Sequence, residues 1–149
     1  MKIATSTKGD AVILERGEEL FQMLEEYALS SHHPSAWLQS GVGGAENVTL
    51  SFYDLETQEY IDKLFAEPLE ILSLQGNLTW VDTAPFWHVH GIFGTRDYST
   101  IGGHIKQMTV ALTGELYITH LPTPLTRQYD ETTGLQLIDQ LTASKEHIT

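Results

Sequence analysis

The sequence contains no cysteine. No disulfide framework can form, and a thiolate-based structural zinc site is excluded. The cytoplasm is therefore the simplest expected location. The first ten residues, MKIATSTKGD, lack the apolar core of a signal peptide, and no apolar run is long enough to cross a bilayer as a helix, so no membrane role is expected. Basic residues are scarce as well. Eight Lys and Arg stand against 20 Asp and Glu, for a formal net charge of −12. The basic residues are Lys2, Lys8, Arg16, Lys63, Arg96, Lys106, Arg127 and Lys145, and no two are adjacent. That argues against a broad phosphate-binding surface, because affinity for nucleic acid comes mainly from phosphate neutralisation.

What is present fits one folded unit. The 149 residues are 41% hydrophobic, enough for a sizeable core, and no repeat or linker divides residues 1–149 into two domains. The densest chemistry lies in Pro85 to His104, PFWHVHGIFGTRDYSTIGGH. If Phe86 to Phe93 is a strand, Phe86, His88, His90 and Ile92 share one face, and Trp87, Val89 and Phe93 the other. Two imidazoles on one strand face are placed to hold one divalent ion. His104 follows two glycines that let the backbone come close, and supplies a third. Three neutral imidazoles with an open fourth position describe a catalytic-type zinc site. The plainer reading makes His88 and His90 partly buried polar residues bonded to neighbouring backbone.

Elsewhere the pattern is mostly short strands. Ala11 to Leu14 reads as a buried strand. Glu18 to Ala28 has apolar residues at helical spacing, with Glu18 and Glu19 placed in its first turn. Ser30, Ser31 and Pro34 end that helix, leaving His32 and His33 as solvated loop residues. Ala36 to Leu38 and Val48 to Tyr53 read as strands joined by a glycine-rich turn over Gly41 to Ala45. A phosphate-cradling role for that turn is disfavoured, because strand and not helix follows it. Asp54 to Gln58 is a turn and Glu59 to Leu64 a strand. Pro68 to Leu74 is a strand closed by Gly76-Asn77, with Leu78 to Val81 the other arm of a hairpin. Val110 to Leu112 and Gly114 to His120 read as two strands around a turn. Arg127 to Asp130 is an edge strand, Thr132 to Gly134 a turn, and Ala143 to Thr149 a frayed end. The expected fold class is α+β: a largely antiparallel sheet of short strands with one main helix.

The order of these motifs resembles the plants-and-prokaryotes-conserved (PPC) domain. The matching pieces are Gly41-Val42-Gly43-Gly44-Ala45, Glu70 to Asn77 (EILSLQGN), His88-Val89-His90 and Gly102-Gly103-His104, with Glu115 and Arg127 to Leu135 (RQYDETTGL) fitting the closing part. The resemblance implies a homotrimer in which His88, His90 and His104 hold a metal, usually taken as zinc. It also brings a DNA-binding label, given to prokaryotic members by analogy with a plant promoter-binding protein, and a link between the segment at Glu67 to Leu72 and protein partners. The three-histidine arrangement is similar to acetolactate decarboxylase, a zinc enzyme. The sequence lacks the Arg-Gly-Arg-Pro AT-hook of plant members, and Gly94 to Thr100 differs from the shorter Asp-Gly turn of the pattern.

Two functions of different class follow. The first is a trimeric zinc-binding module with a regulatory or DNA-associated role, its direct contact with DNA opposed by its charge. The second is a zinc enzyme acting on a small carbonyl or carboxylate substrate, with Glu70 as general base or as a group orienting a metal ligand and Arg127 as anion clamp.

Overall fold

The computed structural model describes residues 1–138. Nine strands and one helix follow in the order β1 (Lys2–Ser6), β2 (Gly9–Glu15), α1 (Leu20–Ser31), β3 (Ser35–Asp54), β4 (Glu59–Phe65), β5 (Leu69–Val81), β6 (Ala84–Gly94), β7 (Thr100–Leu121), β8 (Arg127–Asp130) and β9 (Leu135–Ile138). All registered pairs are antiparallel. Seven strands form one sheet in the order β1-β2-β7-β6-β5-β3-β4, and β3 also pairs with β7. That extra pairing closes β3, β5, β6 and β7 into a ring. The expected single small domain with a mostly antiparallel sheet and one helix is what forms. The expected frayed end at Ala143 to Thr149 lies outside the described residues.

The helix begins two residues later than its apolar spacing suggests. Glu19 is the N-cap, its side chain accepting from the Gln22 backbone N–H at 2.8 Å. Glu18 also lies outside the helix and accepts from the Glu15 N–H at 2.8 Å. Both carboxylates thus stand ahead of the helix instead of within its first turn, Glu19 capping a first-turn N–H and Glu18 a donor on β2. The helix buries Leu20, Met23, Leu24, Tyr27 and Ala28. It packs on β6 and β7, and Trp87 donates its indole N–H to the Leu24 carbonyl at 2.9 Å. The helix ends at His32, which adopts left-handed φ 56°.

Three glycine-marked turns in the sequence are not turns. Gly41 to Ala45 runs inside the 20-residue β3. Gly43, at φ +140°, leaves no room for a side chain: a Cβ there would lie 1.9 Å from the Thr113 carbonyl oxygen. Gly76-Asn77 likewise lies inside β5, and the chain reverses after Val81 instead. Val110–Leu112 and Gly114–His120 belong to one 22-residue strand, β7. Gly43 and Gly76 share a physical reason, while a Cβ on Gly114 would meet only side-chain atoms, the nearest being Leu14 Cβ at 3.3 Å. Glycine marks reversals, but in a sheet it also marks places where two backbones approach too closely for a Cβ.

Of the four register irregularities between β3 and β7, the two nearest His104 bear on which side chains face outward there. Thr49 pairs with Gln107 while the next β3 residue, Leu50, pairs with Ile105, so Lys106 is an extra residue on β7. Lys106 and Gln107 are consecutive exposed residues, and Ile105 and Met108 on either side are buried. The second irregularity falls between Glu46 and Thr49 on β3, where Asn47 adopts φ 53°.

Candidate metal centre

The alternation along β6 is the one its sequence predicts. Trp87, Val89 and Phe93 are buried, and His88 and His90 point away from them. On β7, His104 stands directly across from His90. Of the two glycines before it, Gly102 serves a real close approach, since a Cβ there would lie 2.8 Å from the Gly91 carbonyl oxygen, while a Cβ on Gly103 would find its nearest neighbour at 3.6 Å. His104 is part of a strand, however, and not of a glycine loop.

The three imidazoles converge. Nε2 of His88 and Nε2 of His90 are 3.0 Å apart. Ring centroids are separated by 4.9 Å (His88–His90), 5.1 Å (His88–His104) and 5.3 Å (His90–His104). One ligand nitrogen from each ring lies within 4.8 Å of the others. Nitrogens sharing a tetrahedral zinc at bonds of about 2.0–2.1 Å stand about 3.3 Å apart, so modest side-chain rotations complete the set. His104 Nδ1 is buried and has no hydrogen-bond partner among the described residues. A buried imidazole nitrogen without a partner is costly, and an ion would satisfy it.

The surroundings keep these rings neutral. Burial, helped by His90, His104 and Arg127, pushes His88 down to about 4. Burial lowers His90 as well. His104 is lowered by burial and by His90, against an opposing pull from Asp62. Neutral imidazole is the form that ligates a metal. Ser51 pairs across from both His104 and Asp62, and its hydroxyl donates to Asp62 at 2.7 Å. Asp62 is also ion-paired with Lys106. The Tyr60 ring stacks on His104 at 5.5 Å between centroids.

Lowered imidazoles make folding acid-sensitive. Between the ordinary value of 6.5 and about 4, the unfolded chain binds a proton that folded His88 refuses. Stability is therefore present above that window and is lost as pH falls through it. In chelator-treated protein the urea midpoint should be lower at pH 5 than at pH 7, and His88→Asn should shrink the difference. A midpoint unchanged between the two pH values contradicts a neutral, partly desolvated His88.

Arg127, on β8, sits beside the centre. Its Nε donates to Thr79 at 2.8 Å, Nη2 to Asn77 at 3.0 Å and Nη1 to the Gln136 carbonyl at 2.6 Å. The guanidinium also lies 4.7 Å from the Phe86 ring centroid. Asn77 is the cross-strand partner of His88. All three nitrogens thus already donate inside the protein, and Arg127 ties β8 to β5 next to the histidines. Glu70 is elsewhere. It stands across from Gly94 and lines an open groove of about 650 Å³ with Arg16, Glu67, Arg96 and Leu112, and no histidine lines that groove. The structure brings the three histidines together with Arg127 nearby, and leaves Glu70 apart from them.

A second cluster was not legible in the sequence. Asp10, His33 and His120 each offer a ligand atom within 4.8 Å of the others. His33 stacks on His120 with ring centroids 3.5 Å apart, so it is not merely a solvated loop residue. No spacing signal could have found residues so far apart in sequence.

With this geometry in place, the comparisons identify the family. The sequence profile of the Plants and Prokaryotes Conserved (PCC) domain matches residues 1–122, and the chain belongs to that family. A metal-containing protein from Archaeoglobus fulgidus is similar in structure at 32% identity and TM-score 0.81, covering 93% of this chain and 97% of that one. A protein from Bacteroides thetaiotaomicron, provisionally described as DNA-binding, superposes with TM-score 0.88 at 25% identity, covering 93% and 96% of the two chains. A plant- and prokaryote-conserved (PPC) protein from Pyrococcus horikoshii, at 23% identity and TM-score 0.82, covers 94% of each chain and shares the fold. No curated protein matches the sequence. No helix among the described residues is long and apolar enough to cross a membrane.

Proposed function

We propose that the protein is a zinc-binding module that works as a homotrimer in the cytoplasm, in a regulatory role exerted through a protein partner or a small ligand and not by gripping DNA itself. The observation that carries this reading is the convergence of three neutral imidazoles from β6 and β7, one of them with a buried nitrogen that lacks a partner. The metal-containing relative from Archaeoglobus fulgidus supports it. Bound zinc would supply a fixed positive charge and an open coordination position, and His88, His90 and His104 would hold it. The enzyme alternative loses its suggested base, because Glu70 lies in a separate groove, and its suggested clamp, because Arg127 donates inward.

The trimer rests on the family resemblance and on uncovered apolar surface. Val42, Leu72, Ile92 and Leu112 are each about half exposed or more, as are Phe52 and Ile61. So much outward-facing apolar surface on a small domain marks an association surface. Light scattering should give about three times the chain mass of 16.7 kDa, and a monomer at micromolar concentration contradicts the assembly.

The DNA label is opposed by how the cations are used. Lys2 pairs with Glu15 at 2.6 Å, Lys106 pairs with Asp62, and Arg127 is spent on Thr79, Asn77 and Gln136. Arg16 and Arg96 share their groove with Glu46, Glu67 and Glu70. A trimer multiplies the net charge of −12 threefold, to −36. Fluorescence anisotropy at ~0.15 M salt should show no saturable duplex binding tighter than about a micromolar. Tighter binding that falls steeply as salt rises restores direct DNA contact.

A further inference from the structure

We propose that Asp10, His33 and His120 form a second site for a divalent transition-metal ion of the zinc or cobalt type, next to the C-terminal end of α1. Its donors come from three separate segments: Asp10 from β2, His33 from the connection between α1 and β3, and His120 from β7. Two imidazoles and one carboxylate suit zinc, cobalt and nickel better than magnesium or calcium, which prefer all-oxygen shells.

Asp10 carries the inference. It is 2% exposed, and its Oδ1 is buried with no hydrogen-bond partner among the described residues. Its other oxygen, Oδ2, accepts from the Tyr27 hydroxyl at 2.9 Å and lies 3.1 Å from His120 Nε2. A carboxylate taken out of water needs a counter-charge. No Lys or Arg reaches it among the described residues, and the ion-pair partner it has is His120. The separation of 3.1 Å between Oδ2 and His120 Nε2 is close to the about 3.3 Å that separates two donors on one tetrahedral ion.

Tyr27 completes the arrangement from the side. Its hydroxyl donates to Asp10 Oδ2 at 2.9 Å and lies 3.0 Å from His120 Nε2; an ion taking the Nε2 lone pair would displace that second contact and leave Tyr27 orienting Asp10. Groups of this kind orient metal ligands elsewhere. His33 is the adjustable member. Its ring lies nearly parallel to that of His120, at 14°, and ion binding exchanges this stack for a shared ligand. It is partly exposed and directly follows His32, whose left-handed backbone ends the helix. An ion held here would tie β2, the end of α1 and β7 together.

The test is a cobalt(II) titration of the purified, chelator-treated full chain, followed by absorption, with zinc counted by elemental analysis after reloading. Wild type should bind two equivalents per chain. His33→Ala, a change at a partly exposed residue outside the core, should bind one, and Asp10→Asn, which keeps the side-chain size, should also bind one. His88→Ala should keep one equivalent, and His88→Ala combined with His33→Ala should bind none. Wild type binding a single equivalent that His88→Ala removes and His33→Ala leaves untouched overturns this site while upholding the three-histidine centre. A single equivalent lost with His33→Ala and kept in His88→Ala upholds this site and overturns that centre. Two equivalents persisting in both His33→Ala and Asp10→Asn overturn the proposal as well.

Discussion

Zinc affinity at neutral pH falls about a hundredfold or more in His88→Ala, and protein purified without added metal or chelator loses the near-stoichiometric zinc that wild type carries at the three-histidine centre. His88 is one of only three imidazoles in the set, so its loss leaves two ligands on β6 and β7. Binding free energies of about 10–16 kcal/mol in four-ligand zinc sites imply several kcal/mol per ligand, enough for a loss of that order. His88→Ala keeps the fold, because the side chain is on the outward face while Trp87 and Val89 hold the core. Elemental analysis and competition with a zinc-responsive dye measure both quantities. A variant that holds zinc at the centre as tightly as wild type removes His88 from the ligand set.

Gly76→Ala destabilises the protein by about 3 kcal/mol or more and weakens zinc binding, although Gly76 touches no metal. A Cβ at Gly76 would lie 2.3 Å from the His88 carbonyl oxygen and 3.0 Å from Val89 Cα, both of them backbone atoms with no rotamer to move. Relief requires β5 and β6 to separate at the residue that carries the first ligand. Gly94→Ala is the contrasting control: its Cβ would find its nearest neighbours at 3.6 Å, ordinary van der Waals contact. Urea denaturation of the two variants should show a large loss for Gly76→Ala and a near-neutral effect for Gly94→Ala. Equal midpoints would show that the strands absorb the clash.

The centre was more legible in sequence than the sheet that builds it. His88-Val89-His90 inside an alternating apolar run carries its own geometry, because a period of two puts both rings on one face regardless of topology. The helix was legible for the same reason, from the spacing of Leu20, Leu24, Tyr27 and Ala28. Strand ends were not. Gly43, Gly76 and Gly114 look like reversals, yet each sits within a continuous strand, and Gly43 and Gly76 serve close backbone approaches that depend on the partner strand. Glu70 shows the same limit. Its place in an apolar run near a motif suggested chemistry, whereas the register puts it across from Gly94 and away from the imidazoles. Asp10, His33 and His120 meet only because β2 pairs with β7 and because α1 delivers Tyr27 and His33 to that end of the sheet.

The extra residue at Lys106 acts as a frame-shift in the strand. From Met108 to Ile118 the inward positions of β7 include the even-numbered Met108, Val110, Leu116 and Ile118, whereas before the irregularity the inward residue is the odd-numbered Ile105. Continued without interruption, the even count would turn His104 into the hydrophobic interior and Ile105 out to solvent. One inserted residue therefore decides whether the third imidazole meets the other two. Deleting Lys106 from this chain is expected to turn His104 away from His88 and His90, with every histidine still in place.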